Sequence, residues 1–303
     1  MEQFPSYLMI ATVVSVLSAF LTNSTSADSL PATPTGEGDL PASTILGPGI
    51  AIVGMPVYKG ATAAAGTFTG GVDAGIGIES GIILSTGAVL DALGPHQNEA
   101  DEANSTDDTT TYNRRAGDSL LSKLAGKFTF DASVLSIDFV TNTGDLYMNL
   151  VFASEVYDEF VTVGYNDVFI FLLDETNIAM VPDTDQPVAI DSINLTTNPT
   201  HFVGNTYDGA IHDIEYDGFT RVLTAQALDI GPDQQTIKLA IADAGDPHLD
   251  SAVFVEAGTF SGQISNIIIP APSTALVLSA FADLFGMRPH WPADDADCRR
   301  PNA

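Results

Sequence analysis

Alternation of apolar and polar positions marks the middle of the chain as strand-rich. Ser133 to Val140 reads SVLSIDFV, which puts Leu135, Ile137 and Phe139 on one face and Ser136 and Asp138 on the other. Asp145 to Ser154 (DLYMNLVFAS) gathers Met148, Leu150 and Phe152 in the same way, and Thr236 to Ala242 (TIKLAIA) sends Ile237, Leu239 and Ile241 inward and Lys238 outward. Asp167 to Leu173 (DVFIFLL) is almost continuously apolar, as a central strand buried on both faces would be. Ser251 to Ala257 (SAVFVEA) closes the series. One short helix is predicted over Ser119 to Ala125, with Asp118 as N-cap and Gly126 as the residue that ends it. Such faces are buried most simply by packing two antiparallel sheets, so the expected fold is an all-β sandwich with one short helix.

Composition agrees with this reading. Hydrophobic residues make up 45% of the 303, and the 26 glycines and 17 prolines are spread along the chain, as turns between short strands require. The acidic run before the helix, within Asp91 to Gly117, reads as an exposed loop. Charge is far out of balance, with 39 acidic residues against 10 basic ones and a formal net charge of −29. Such a surface repels phosphate backbones, which excludes nucleic acid as a partner, and it favours cations and solubility. It is either a solvated acidic coat or, in part, a set of calcium ligands. The single cysteine, Cys298, allows no intramolecular disulfide, so any staple is core packing or metal.

Both ends read as addresses. Tyr7 to Leu21 is an apolar run of signal-peptide length, although no Lys or Arg precedes it, and Thr25-Ser26-Ala27 offers cleavage after Ala27. The expected organisation is a signal helix over 1–27, a flexible lead-in over 28–43, the sandwich over 44–265 and a sorting segment over 266–303. That last segment opens on Pro270, Pro272, Ser273 and Thr274, followed by an apolar helix from Ala275 to Met287 and then Arg288. It resembles the PEP-CTERM sorting signal, with Ala271 where the usual glutamate stands, Asp283 inside the helix and a long tail in place of the terminal arginines. The resemblance implies processing by an exosortase during export. An ordinary amphipathic helix is the alternative. Membrane contact is expected through the terminal segments alone.

A second resemblance covers the domain. AAGTFTGG (Ala64 to Gly71), GIGIESGIILSTG (Gly75 to Gly87), VFASEVYDEF (Val151 to Phe160), NDVFIFLLD (Asn166 to Asp174), NIAMVP (Asn177 to Pro182), EYDGFTRVLTA (Glu215 to Ala225) and IKLAIADAGDPHLDSAVFVEAG (Ile237 to Gly258) follow one another in this order. The succession resembles the choice-of-anchor L domain, with Val156 standing where the family has a second glutamate. The resemblance implies a secreted or surface-anchored bacterial protein without catalytic activity.

Candidate chemistry lies in two acidic loops. One runs from Glu155 to Asp167, the other from Asp243 to Asp250 (DAGDPHLD), and each carries an acidic residue at both rims. If they open at the same end of the sandwich, Glu155, Asn166, Asp167, Asp243, Asp246 and Asp250 can surround one Ca2+, which takes roughly six to eight oxygen ligands. The alternative is that these side chains cap their own turns. Glu155 with Glu159, or Asp243 with Asp250, would be the paired carboxylates of a glycoside hydrolase, but no nucleophile elbow, zinc helix or phosphate loop accompanies them. Tyr147, Tyr157, Tyr165 and Tyr207 would be the platform of a carbohydrate-binding module. The expectation is an exported, non-catalytic protein with a structural or adhesive role and calcium as its stabilising ion. Its partners would be the export machinery, an exosortase, and extracellular polysaccharide or other surface proteins.

Overall fold

The computed structural model describes residues 30–35, 42–92, 94, 110–205 and 212–264. The signal segment with Ala27, the sorting motif of Pro270, Pro272, Ser273 and Thr274, and Tyr207 lie outside them.

The described residues form two antiparallel sheets. The strands, in chain order, are β1 (Ala32–Pro34), β2 (Ile50–Lys59), β3 (Ala65–Phe68), β4 (Gly81–Ser85), β5 (Thr129–Thr141), β6 (Leu146–Ser154), β7 (Val168–Leu173), β8 (Thr176–Asn177), β9 (Phe202–Gly204), β10 (Gly218–Thr220), β11 (Leu223–Ala227), β12 (Gln235–Ala244) and β13 (Ser251–Glu256). The first sheet runs β1-β3-β4-β13-β6-β10-β9, with β11 also paired to β6. The second runs β2-β5-β12-β7-β8.

The alternating residues fill the space between the sheets. Leu135, Ile137, Phe139, Met148, Leu150, Phe152, Phe169, Phe171, Ile237, Leu239 and Ile241 belong to one buried cluster. Each outer face is covered as well. On the second sheet, helix α1 (Ser119–Ala125) lays Leu121 over Ala132, Val134, Val168, Ile170, Leu172, Ala240 and Ala242. That cover is why β7 is apolar at every position. Its place in the sheet, however, is next to the two-residue edge strand β8 rather than central. On the first sheet, Ile76, Ile78, Ile214 and Tyr216 pack onto Phe68, Ile83, Val151 and Phe254.

Helix α1 is delimited as its sequence requires. The Asp118 carboxylate accepts from the amides of Leu120 at 2.8 Å and Leu121 at 3.2 Å, and Gly126 ends the helix at φ 66°. Burial raises the Asp118 pKa, but a 2.8 Å bond from Lys238 Nζ and the two amides outweigh that and hold it below its ordinary value. Lys238 thus points out of the core and ties the helix to β12. Asp118→Ala removes a cap and a half-buried ion pair together. It is expected to cost about 1–2 kcal/mol in chemical denaturation, most of it the cap.

Two expectations need correction. The lead-in is not wholly free, because Leu30 is fully buried and Ala32–Pro34 pairs with Gly66 to Phe68. The stretch from Asp91 to Gly117 is not simply an exposed loop either. Val89 and Ala92 are buried in a 3-10 turn, and Thr110 to Ala116 packs onto the domain.

Candidate functional site: an acidic rim

Strand register decides where the two acidic loops lie. Ser251 pairs with Ser154 across β13 and β6, and Ala242 pairs with Val168 across β12 and β7. The end of β6, the start of β7, the end of β12 and the start of β13 are therefore at one end of the sandwich. Each loop crosses from one sheet to the other rather than forming a hairpin within a sheet. The two loops share a rim.

The carboxylates on that rim are buried. Asp243 and Asp250 are each 1% exposed, Asp167 2%, and Glu155 and Asp131 3%. Asp167 is well bonded, accepting from the Ala244 amide at 2.9 Å and the Ser251 hydroxyl at 2.6 Å. Asp250 is half bonded: Oδ2 accepts from the Thr111 amide at 2.8 Å, whereas Oδ1 has no partner. Asp243 is in the harshest position. Neither of its oxygens has a well-formed hydrogen bond, and the Thr86 hydroxyl near it offsets only part of its burial.

Three of these groups consequently hold protons far more tightly than ordinary carboxyls. Burial, with the charge of Asp246 added, pushes Asp167 up to about 7 despite its two donors. Burial, with Asp91, Asp167 and Asp131 nearby, pushes Asp250 up to about 8. Burial and the charges of Asp167, Asp250 and Asp131 drive Asp243 well above its ordinary value. Burial first, and repulsion between neighbouring carboxylates second, thus favour the protonated form of all three groups.

The remaining site residues are distributed as follows. Glu155 is at the rim, its amide donating to the Asp250 carbonyl at 3.1 Å. Asn166 is turned to other work, since its Oδ1 accepts from the Asp191 amide at 3.0 Å. Asp246 caps its own turn through the His248 amide at 3.1 Å, although its charge reaches Asp167. Among the described residues, no three Asp, Glu, His or Cys side chains are already gathered around a common point that could hold an ion.

Two carboxylates that the loop pattern does not contain complete the rim. Asp131 sits at φ 46° where the β5–β12 register slips by one residue, and its carboxylate accepts from the Arg115 amide at 2.5 Å and from the Asn113 amide. Asp91 accepts a short bond from the Thr111 hydroxyl. The segment from Thr110 to Ala116 is thus a strap over the rim, with alternate amides (Thr111, Asn113, Arg115) bound to carboxylates. Asn113 Nδ2 completes it by donating to the carbonyls of Thr86 at 2.7 Å and Gly87 at 2.9 Å. Close packing leaves no room for a larger residue at Gly87, where a Cβ would lie 1.7 Å from Asp250 Oδ2.

Of the tyrosines expected as a sugar platform, Tyr157 is fully buried and cannot serve, whereas Tyr165 is 38% exposed. Tyr165 lines a groove of about 730 Å3 with Lys123, Lys127 and Phe128.

Fold and rim together define a class of protein, a two-sheet β-sandwich with a buried acidic end. The choice-of-anchor L domain matches residues 45–261, most of the chain, and the protein belongs to that family. The family places it among secreted or cell-surface bacterial proteins and is not a known enzyme family. No curated protein and no solved structure matches the chain.

Proposed function

We propose that the protein is exported and acts without catalysis, as a structural or adhesive domain at the bacterial surface or in the extracellular matrix. We propose further that calcium at the acidic rim stabilises its folded form. Asp243 carries this reading: a carboxylate that is 1% exposed with both oxygens unpartnered is costly unless a proton or a cation joins it. A hard divalent ion with flexible oxygen coordination suits an all-oxygen donor set. The same burial argues against a hydrolase, because a polysaccharide cannot reach Glu155, Asp243 or Asp250 in this conformation. The signal segment would engage the export machinery, and the sorting segment an exosortase.

The test is thermal melting of protein recovered from the surface or medium of its native host, after chelation and then with calcium. A saturable rise in Tm, together with a new N-terminus near Asp28, is the expected outcome. A calcium-indifferent Tm, or intact Met1 in cytoplasmic protein, sinks the corresponding half of the proposal.

Carbohydrate binding is a second reading, supported by the groove beside Tyr165. Lys127 donates to the Gly164 carbonyl and stands 5.5 Å from the centre of the Tyr165 ring, and Phe128 is 84% exposed. Exposed rings beside lysines suit a sugar that bears carboxylates.

A further inference from the structure

Phe128 is the most exposed large apolar side chain among the described residues, yet its backbone is braced on every side. Its carbonyl accepts from the Gly245 amide at 3.0 Å. The next residue, Thr129, is buried, and its amide donates to the Ser122 hydroxyl at 3.2 Å. The preceding one, Lys127, donates to the Gly164 carbonyl. Asp167 closes the circuit by accepting from the Ala244 amide at 2.9 Å. The residues that open β5, the 155–167 loop and the 243–250 loop are thus tied to one another in pairs. All three line the groove of about 730 Å3, together with α1. That volume lies within the roughly 300–1,000 Å3 of ligand clefts. A solvent-facing ring on a braced backbone is a contact surface set in place before its partner arrives.

The polar groups of the groove narrow the choice of partner. Two of the chain's 10 basic residues, Lys123 and Lys127, line it. Lys127 is engaged by the Gly164 carbonyl and by the Tyr165 ring, whose centre is 5.5 Å away. Phe160 braces Tyr165 as well, edge to face at 5.7 Å. Lys123 is exposed and has no ion pair among the described residues, so its ammonium is open to an anion. Asp246 accepts from the His248 amide through Oδ1, which leaves Oδ2 for a hydroxyl donor. The set suits a ligand with an apolar face, hydroxyl groups and a carboxylate. A sugar supplies the first two to an aromatic ring and its polar neighbours, and a uronic acid adds the third. A peptide strand finds no free edge here, because β5 is paired on both sides, by β2 and by β12.

We propose that this groove binds a polysaccharide of uronic acids, with the Phe128 ring stacked on the face of one sugar, Lys123 on its carboxylate and Asp246 accepting from ring hydroxyls. Lys127 is a positioning residue that holds Tyr165 and the 155–167 loop in the wall. This rests on the carbohydrate reading given above and assigns what each residue recognises. The net charge of −29 does not forbid an anionic partner, because at about 0.15 M salt charges more than about 8 Å away are largely screened. At that range the contact is governed by the lysines beside it.

The test is calorimetric titration of the full chain, in chelator so that no divalent ion bridges ligand and protein. The probes are hexamers of galacturonate and of mannuronate, their methyl esters, a neutral galactose hexamer and a glutamate hexapeptide. A uronate hexamer is expected to bind tightest. Phe128→Ala should weaken it about tenfold, and its methyl ester as much, since the stacked ring is the same. Lys123→Gln should weaken the uronate about fivefold and leave the methyl ester unchanged. Lys127→Gln, which releases the wall, should weaken both alike. Methyl esters that bind the wild type as tightly as the uronates, or a Lys123→Gln protein that binds uronates as the wild type does, overturn the uronate assignment and leave the carbohydrate reading standing. A glutamate hexapeptide that binds as tightly as the uronates overturns it in favour of a site for acidic chains in general. Binding of none of the sugars overturns the carbohydrate reading itself.

Discussion

Chelator-treated protein is expected to lose stability between about pH 5 and about pH 8, and saturating calcium is expected to restore most of the loss. Asp250 is raised to about 8 and Asp167 to about 7, and both titrate at ordinary carboxylate values once unfolded. Between the ordinary and the folded values the native state therefore binds more protons than the unfolded one. Stability is full below the ordinary value and falls as pH rises through the window, with the slope that proton linkage requires. The charges facing these groups are Asp91, Asp131, Asp246 and each other, so removing the protons leaves repulsion with little to oppose it. The groups face one another, so their effects do not add, and the loss is on the order of several kcal/mol. In a domain of this size that is about 10 °C or more in Tm. Asp118, held low by Lys238, has the opposite sign, but its effect is confined to more acid solution. Calcium replaces the protons at the high end, and at about a thousand times its Kd contributes about 4 kcal/mol per site. Melting curves at a series of pH values, with chelator and with calcium, check this. Parallel curves with no pH dependence would show that the rim is not under electrostatic load.

How much of this was legible in the sequence depends on how local each feature is. The inward faces of β5, β6 and β12 are written in strict alternation, and the cap and stop of α1 in Asp118 and Gly126. The unbroken apolar run DVFIFLL announces that its outer face is covered, but nothing in it says that a helix supplies the cover. The short strands β9 to β11 and the edge strand β1 are too brief to show a period, and a lead-in rich in proline gives no sign of pairing with β3. At the rim, Glu155, Asp167, Asp243 and Asp250 stand out because they flank core strands. Asn166 and Asp246 share that spacing yet serve their own turns, which spacing cannot reveal. Asp91 and Asp131 are missed for a different reason: one reaches the rim from a 3-10 turn, the other through a register slip and a left-handed residue.

Phe171→Ala is expected to be among the most damaging single changes away from the rim, and it separates the core from the ion site. Phe171 is fully buried at the middle of β7, paired with Leu239 and packed between the sheets with Phe169, Leu173 and the β5 and β6 side chains. Truncating a buried phenylalanine removes its transfer free energy and leaves a cavity, together about 3–5 kcal/mol. The strands on either side are fixed by β12 pairing and by the helix on the outer face, so little collapse into the hole is available. The loss should therefore fall near the upper end of that range. Asp167, where β7 leaves the rim, keeps its bonds to Ala244 and Ser251, and those donors belong to neighbouring strands. The calcium increment in Tm should then be close to that of the wild type even though both melting curves move down. Chemical denaturation without calcium measures the core loss, and thermal melting with and without calcium measures the increment. A Phe171→Ala protein that loses its calcium increment would mean that core packing and the rim are one cooperative unit, with the carboxylates positioned by the core rather than by their own strand ends.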